Sequence, residues 1–209
     1  LAIEVSGDVG APGNHLETSV GTLAASSSEG AAGVFVTESD ALIVDRVDVT
    51  VNRVGEGGTP AANTDSLEDI TASAGAIVLS LPDGALTVND GSLSSDSTGV
   101  SAAGNILLKS AGAGGGTGED ITLNAKVMSA GENISLNTTG EIVQNTPEAD
   151  IETQEAAKTI DLLAGSGIPM VEGASTTSNS GHISYVATTG DITLSQLDAT
   201  GSNVGVEAT

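Results

Sequence analysis

Only two side chains in this sequence, His15 and His182, could serve as a base near neutral pH. They lie far apart, and neither has a serine nearby in the strained strand-to-helix turn that makes a nucleophile. His182 fills the polar slot before Ile183 that Asp191 fills before Ile192. A solvent-facing or turn position is therefore expected for it. Two carboxylate groups are denser: Asp65, Glu68 and Asp69, and then Glu148, Asp150 and Glu152. A glycosidase needs two carboxylates at a set separation across a cleft, with groups that hold the sugar. Sugar clefts usually add Trp or Tyr platforms, and this chain has one Tyr and no Trp. Polysaccharide lyases built on β-helices use Arg or Lys as the base, together with bound calcium. Here Arg46 and Arg53 are expected on one strand edge, while Lys109, Lys126 and Lys158 are scattered. No residue is assigned a catalytic, cofactor-binding or metal-ligating role, and the chain reads as non-enzymatic.

Calcium is the sharper chemical expectation. Gly115-Gly116-Thr117-Gly118-Glu119-Asp120 resembles the start of the nonapeptide calcium-roll repeat, in which glycine turns and Asp carboxylates of successive turns share an ion. That repeat places a large apolar residue two positions after its Asp, where Thr122 stands, and no tandem copy follows. A calcium roll is set aside. Weak calcium binding is expected instead at acidic corners such as Asp65 to Asp69.

The 209 residues carry 28 Asp and Glu against 5 Lys and Arg, a formal net charge of -23. Nucleic acid is excluded as a partner, because binding it takes clustered cations that displace phosphate counterions. An anionic membrane surface would repel the chain, and no apolar run approaches the length of a bilayer span. Without cysteine there are no disulfides and no thiolate metal sites. Phe35 and Tyr185 are the only aromatics, yet 38% of the chain is hydrophobic. The interior must be built from Ala, Val, Ile and Leu, which suit thin, uniform layers. Acidic residues at turns and outward positions would keep such a body soluble. The sequons Asn133-Ile134-Ser135 and Asn137-Thr138-Thr139 read as ordinary outward polar residues.

The elements that would position these groups repeat. Gly118-Glu119-Asp120-Ile121-Thr122-Leu123 returns as Gly131-Glu132-Asn133-Ile134-Ser135-Leu136 and as Gly190-Asp191-Ile192-Thr193-Leu194. Looser copies lead into Leu86, Ile106, Ile160 and Ile183. Each copy alternates apolar and polar residues, which puts Ile and Leu on one face of a strand. Val47, Val49 and Val51 alternate in the same way with Asp48, Thr50 and Asn52. The stretch Ile151 to Leu163 holds helix formers, but Ile151 and Ile160 fit strand spacing better. Ile106, Ile134, Ile160, Ile183 and Val204 form one column with steps of 28, 26, 23 and 21 residues. Within it, Ile142, Ile151 and Ile160 step by nine. Two or three short strands per unit of that size describe a coil stacked on itself. The expected fold is all-β, a parallel β-helix or β-solenoid of about eight or nine coils, continuous over residues 1–209 and on the order of 40 Å long. The rival, an antiparallel sandwich, would show short hairpins and larger core residues.

Leu16-Glu17-Thr18-Ser19-Val20-Gly21-Thr22-Leu23-Ala24-Ala25, followed by Gly33-Val34-Phe35-Val36-Thr37-Glu38 and Ala41-Leu42, resembles a unit of giant bacterial exported proteins of the filamentous haemagglutinin type. The Gly-Asp-Ile-Thr-Leu copies look like the general coil repeat of that class. The resemblance implies a right-handed parallel β-helix displayed outside a bacterial cell as a stalk, adhesin or filament. This chain would then be an internal stretch of shaft, and host or surface glycans stand as ligands of such an adhesin. Its terminal strands read as ordinary coil segments, so end-to-end self-association is expected, with lateral association weaker because the acidic sides repel.

Overall fold

The computed structural model describes residues 1–93, 96–112 and 118–209, and in them the chain winds as a parallel β-solenoid with three walls. Short strands recur in a fixed order around each coil, as in Ile142–Gln144, then Ile151–Thr153, then Ile160–Ala164. The nine-residue step between Ile142, Ile151 and Ile160 is thus one turn from wall to wall. Wall A runs from Ala2–Val5 to Gln196–Asp198, and wall C from Leu42–Val44 to Ile192–Thr193. Strand Thr22–Ser27 rounds the corner between them, pairing with Leu42–Val44 on one side and Ile70–Ala72 on the other. Wall B is an 8-stranded parallel sheet from Leu16–Thr18 to Val204–Ala208. At about 4.8 Å per strand it spans roughly 35 Å.

Wall B carries the expected isoleucine column residue for residue. Ile106 pairs with Ile134, Ile134 with Ile160, Ile160 with Ile183, and Ile183 with Val204. It begins earlier than the spacing indicated, because Val34 pairs with Ile77 and Ile77 with Ile106. Ile106, Ile134, Ile160 and Ile183 are at most 2% exposed. Leu79, Leu108, Leu136 and Leu162 form a second buried column, which Tyr185 continues. One residue of like shape above another fills a narrow prism without voids, and dense packing of that kind is what protein interiors require. Glycine closes one corner: a Cβ at Gly181 would sit 1.7 Å from the Lys158 carbonyl oxygen, so the adjacent coils meet only because none is there.

The corners are held by polar ladders. Asn89 donates through Nδ2 to Asp45, Asn124 to Asn89, and Asn145 to Asn124, each at 2.8 Å. The carboxylate of Asp45 ends this ladder as a pure acceptor. Inside the prism, Tyr185 Oη donates to Gln144 Oε1 at 2.9 Å and shares a 2.6 Å bond with Thr176. All three side chains are buried, so these bonds satisfy groups that would otherwise be costly to desolvate.

Two local readings need correction. Val47, Val49 and Val51 belong to an antiparallel hairpin, Val47–Val54 against Pro60–Leu67, and not to a coil. Val49 and Val51 are 41% and 45% exposed. Alternation with a period of two occurs in any half-solvated strand, so it cannot separate a coil strand from a protruding ribbon. The ribbon makes the step from Val34 to Ile77 the longest in wall B and interrupts an otherwise continuous coil. Leu194 closes a Gly-Asp-Ile-Thr-Leu copy but lies beyond strand Ile192–Thr193 and is exposed. Ile151 to Leu163 follows its strand spacing: it is two strands joined by a turn in which Ala157 takes φ 62, incompatible with a helix.

Candidate functional site

The densest group of chemistry-bearing side chains sits where the hairpin rejoins the coil. Leu67 ends the ribbon, Glu68 and Asp69 follow, and Ile70 enters wall A. Ile70 pairs with Val100, which brings the loop before Thr98–Ala102 onto this corner. Asp69, Asp90 and Asp96, which are buried, half-buried and exposed in turn, bring one carboxylate oxygen each within 4.8 Å of one another. The Gly91 amide donates to Asp69 Oδ1 at 3.2 Å, and the Leu93 amide donates to Glu68 Oε2. Asp90 Oδ1 is buried and has no hydrogen-bond partner among the described residues.

The electrostatics follow from this crowding. Burial pushes the Asp69 carboxyl up to about 7, and repulsion from Glu68, Asp90 and Asp96 adds to it. The Gly91 amide pulls the other way. Asp90 is also raised, first by burial and then by Asp96, Glu68 and Asp45. Such oxygens could hold a hard divalent cation, although calcium takes six to eight oxygens and three side chains supply only part of that shell.

The structure redistributes the sequence candidates. Asp65 is exposed on the ribbon, accepts a hydrogen bond from Asn63 and is not one of the three converging carboxylates. Glu148 and Asp150 precede wall A strand Ile151–Thr153, and Glu152 lies within it. Asp150 accepts from the Ser175 amide and hydroxyl at 2.8 Å each, and Glu152 pairs with Lys126 at 3.7 Å. Arg46 and Arg53 lie along one strand of the ribbon, Arg46 just before it and Arg53 near its far end, but on alternate faces. Arg46 bonds Asp48 on one face of the ribbon, and Arg53 takes the alternate face beside Val49 and Val51. His15 lies at the first wall B strand, with Nδ1 3.0 Å from Thr37 Oγ1 and its ring against Phe35. His182 precedes the seventh strand of that wall and accepts the Asn203 amide. The histidines are thus six strands apart. Of the calcium-roll-like stretch Gly115 to Asp120, residues 115–117 lie outside the described residues.

Asp90 and Asp96 were not singled out in the sequence. The usable signal was the wall A column: setting Ile70 over Val100 places the residues just before each strand on the same corner. No spacing rule supplies that register across the ribbon. Elsewhere an open groove is lined by Thr71, Ser73, Ser101, Ala103 and Ala130. Among the described residues, no helix is long and apolar enough to cross a membrane. No family model, curated protein or solved structure matches the chain.

Proposed function

We propose that this chain is a structural shaft: a non-catalytic β-solenoid segment of a bacterial surface or secreted protein of the filamentous haemagglutinin type. The observation that supports this reading most is the wall B ladder, in which every strand from Leu16–Thr18 to Val204–Ala208 pairs in parallel with the next. Load along the axis is shared by backbone hydrogen bonds at every coil, and stacked Ile, Leu and Val keep water from them. Extension and display follow from that construction, with glycans as candidate ligands and further copies of the chain as candidate partners at the ends. The glycosidase and calcium-dependent readings would both have to work through carboxylates. Incubation with acidic and neutral polysaccharides should give neither new reducing ends nor the ultraviolet absorbance of unsaturated products. Turnover lost on Asp69→Asn would replace the shaft by an enzyme. Melting that depends strictly on millimolar calcium would replace it by a calcium module.

A further inference from the structure

Wall C differs from the other two walls in its outward face. Its central outward positions follow one another in register: Thr22 pairs with Ile43, Ile43 with Thr87, Thr87 with Thr122, and Thr122 with Val143. The bridge between Gln144 and Met170 sets Pro169 over Val143, and Pro169 pairs with Thr193. No charge stands in this column. The central outward column of wall A holds Glu4, Glu152 and Asp198, and the two outward columns of wall B hold Lys109 and Asp161 among others. In a chain with a net charge of -23, a side faced with Thr, Ile, Val and Pro is the exception. Ile43 in the stripe is 41% exposed, and Val171 at its margin 40%.

The two margins of the stripe differ in chemistry. Positions two apart on a strand share a face. Two residues before the central position stand Asp120, Glu141 and Asp191, and two residues after it stand Asn89, Asn124 and Asn145. An acidic edge therefore runs along one side of the stripe and an amide edge along the other. The asparagine ladder uses one Nδ2 hydrogen of each residue. A side-chain amide carries two, so the other is left for an outside acceptor.

When two copies lie side by side on this face and point the same way, the two-fold axis runs along the stripe and the margins exchange. Asp120 of each copy then stands opposite Asn124 of the other, and Glu141 opposite Asn145. Each central residue meets its own counterpart, Ile43 on Ile43 and Val143 on Val143, which is the self-complementary form of a two-fold interface. Asp45 is the one carboxylate on the amide edge; it is held by Asn89 and stands opposite Ala41. When the copies point opposite ways, the margins do not exchange, and acid faces acid.

We infer that wall C is a lateral docking face for a second copy of this chain laid in the same direction, with Asp120 and Glu141 of each copy accepting hydrogen bonds from Asn124 and Asn145 of the other. The inference concerns the side of the rod, so it holds for an internal stretch of a longer chain and depends neither on the shaft reading nor on contact through the ends. It names the one side on which the repulsion expected between acidic flanks is relieved. The partner is a second copy because the two edges complement each other when one stripe supplies both. The stripe is about 29 Å long and about 13 Å wide, small for a protein pair, so the contact is weak and grows with concentration.

The chain has no cysteine, so single thiols can be placed at will. Thr87→Cys, Thr122→Cys and Thr193→Cys lie at three heights on the stripe, with Thr71→Cys in wall A and Ser135→Cys in wall B as controls. Each variant, shown folded by circular dichroism, is treated with a short bismaleimide at rising protein concentration in about 150 mM salt, where charges are screened beyond about 8 Å. The three stripe variants should give covalent dimer at severalfold the yield of the controls. Adding Val143→Asp to Thr122→Cys sets like charges against each other on the axis and should remove that excess. Dimer from only one of the three heights would mean that the copies point opposite ways, which overturns the inference. Equal yields from the stripe and the controls would show chance collision, and no dimer at any concentration would show that a second copy does not dock there; either result overturns it. The inference also falls if Val143→Asp leaves the Thr122→Cys yield unchanged.

Discussion

At the scale of single residues, Asp69 and Ile134 make opposite use of burial. Asp69 is 6% exposed, and its folded value of about 7 stands above the 3.8 of the unfolded chain. Between those values the folded state holds a proton that the unfolded state has lost. Stability from this group is therefore complete below about pH 4, declines as pH rises to about 7, and stays reduced above that. The ceiling on the loss is about 4 kcal/mol, from roughly 1.4 kcal/mol per unit. Urea midpoints should fall across that window in the wild type. Asp69→Asn keeps the acceptor for Gly91 and should flatten the fall while raising stability at pH 8; an unchanged profile would exclude Asp69 as its source. Ile134 lies at the centre of the wall B column with no exposure. Ile134→Ala should cost about 2–5 kcal/mol through lost contacts and the cavity left behind. Ile134→Asp should unfold the adjoining coils, because the charge has no partner there. Near-native melting of the Asp variant would contradict the register.

At the scale of elements, the hairpin is the one pair of described strands not built into the coil stack. A two-stranded ribbon in water is marginally stable by itself. Only its base is packed, beside Ala2 and Glu4, and Val54 near its turn is 66% exposed. Of the cations in the chain, Arg53 sits out on this ribbon, Arg46 stands at its base bonded to Asp48, Ser66 and Ser92, and Lys109, Lys126 and Lys158 lie in or beside wall strands. Limited trypsin digestion should therefore cut first after Arg53 and leave two fragments. Leu42–Val44 and Ile70–Ala72 remain paired to Thr22–Ser27, so the fragments should co-elute until denatured. First cleavage at Lys109 would mean that a wall opens more easily than the ribbon.

At the scale of the whole molecule, each coil touches only its neighbours, so stability is a sum of coil and interface contributions and need not be lost at once. Val204–Ala208 pairs along one side only and is exposed throughout, whereas Ile134–Thr138 is paired on both sides. Hydrogen exchange on the 209-residue chain should be faster by at least tenfold in Val204–Ala208 than in Ile134–Thr138, since opening free energy rises with the contacts that must break. Uniform protection along wall B would indicate a single cooperative unit instead.

The sequence alone determined the class of fold and the pairing and inward face of Ile106, Ile134, Ile160 and Ile183. A coil that repeats at near-constant length carries its register in its own spacing, since a slip by one residue would turn every Ile outward. The near-total lack of aromatic residues pointed the same way, because a prism packed from like side chains has little room for Trp. Tertiary structure decided what period two cannot express. Val47, Val49 and Val51 alternate as a coil strand does, and only the partner strand Pro60–Leu67 makes them a ribbon. The convergence of Asp69, Asp90 and Asp96 was likewise invisible, because it depends on which loop the ribbon lets settle over that corner. Spacing along the chain encodes contacts that repeat with it, whereas contacts across an insertion are set by packing alone.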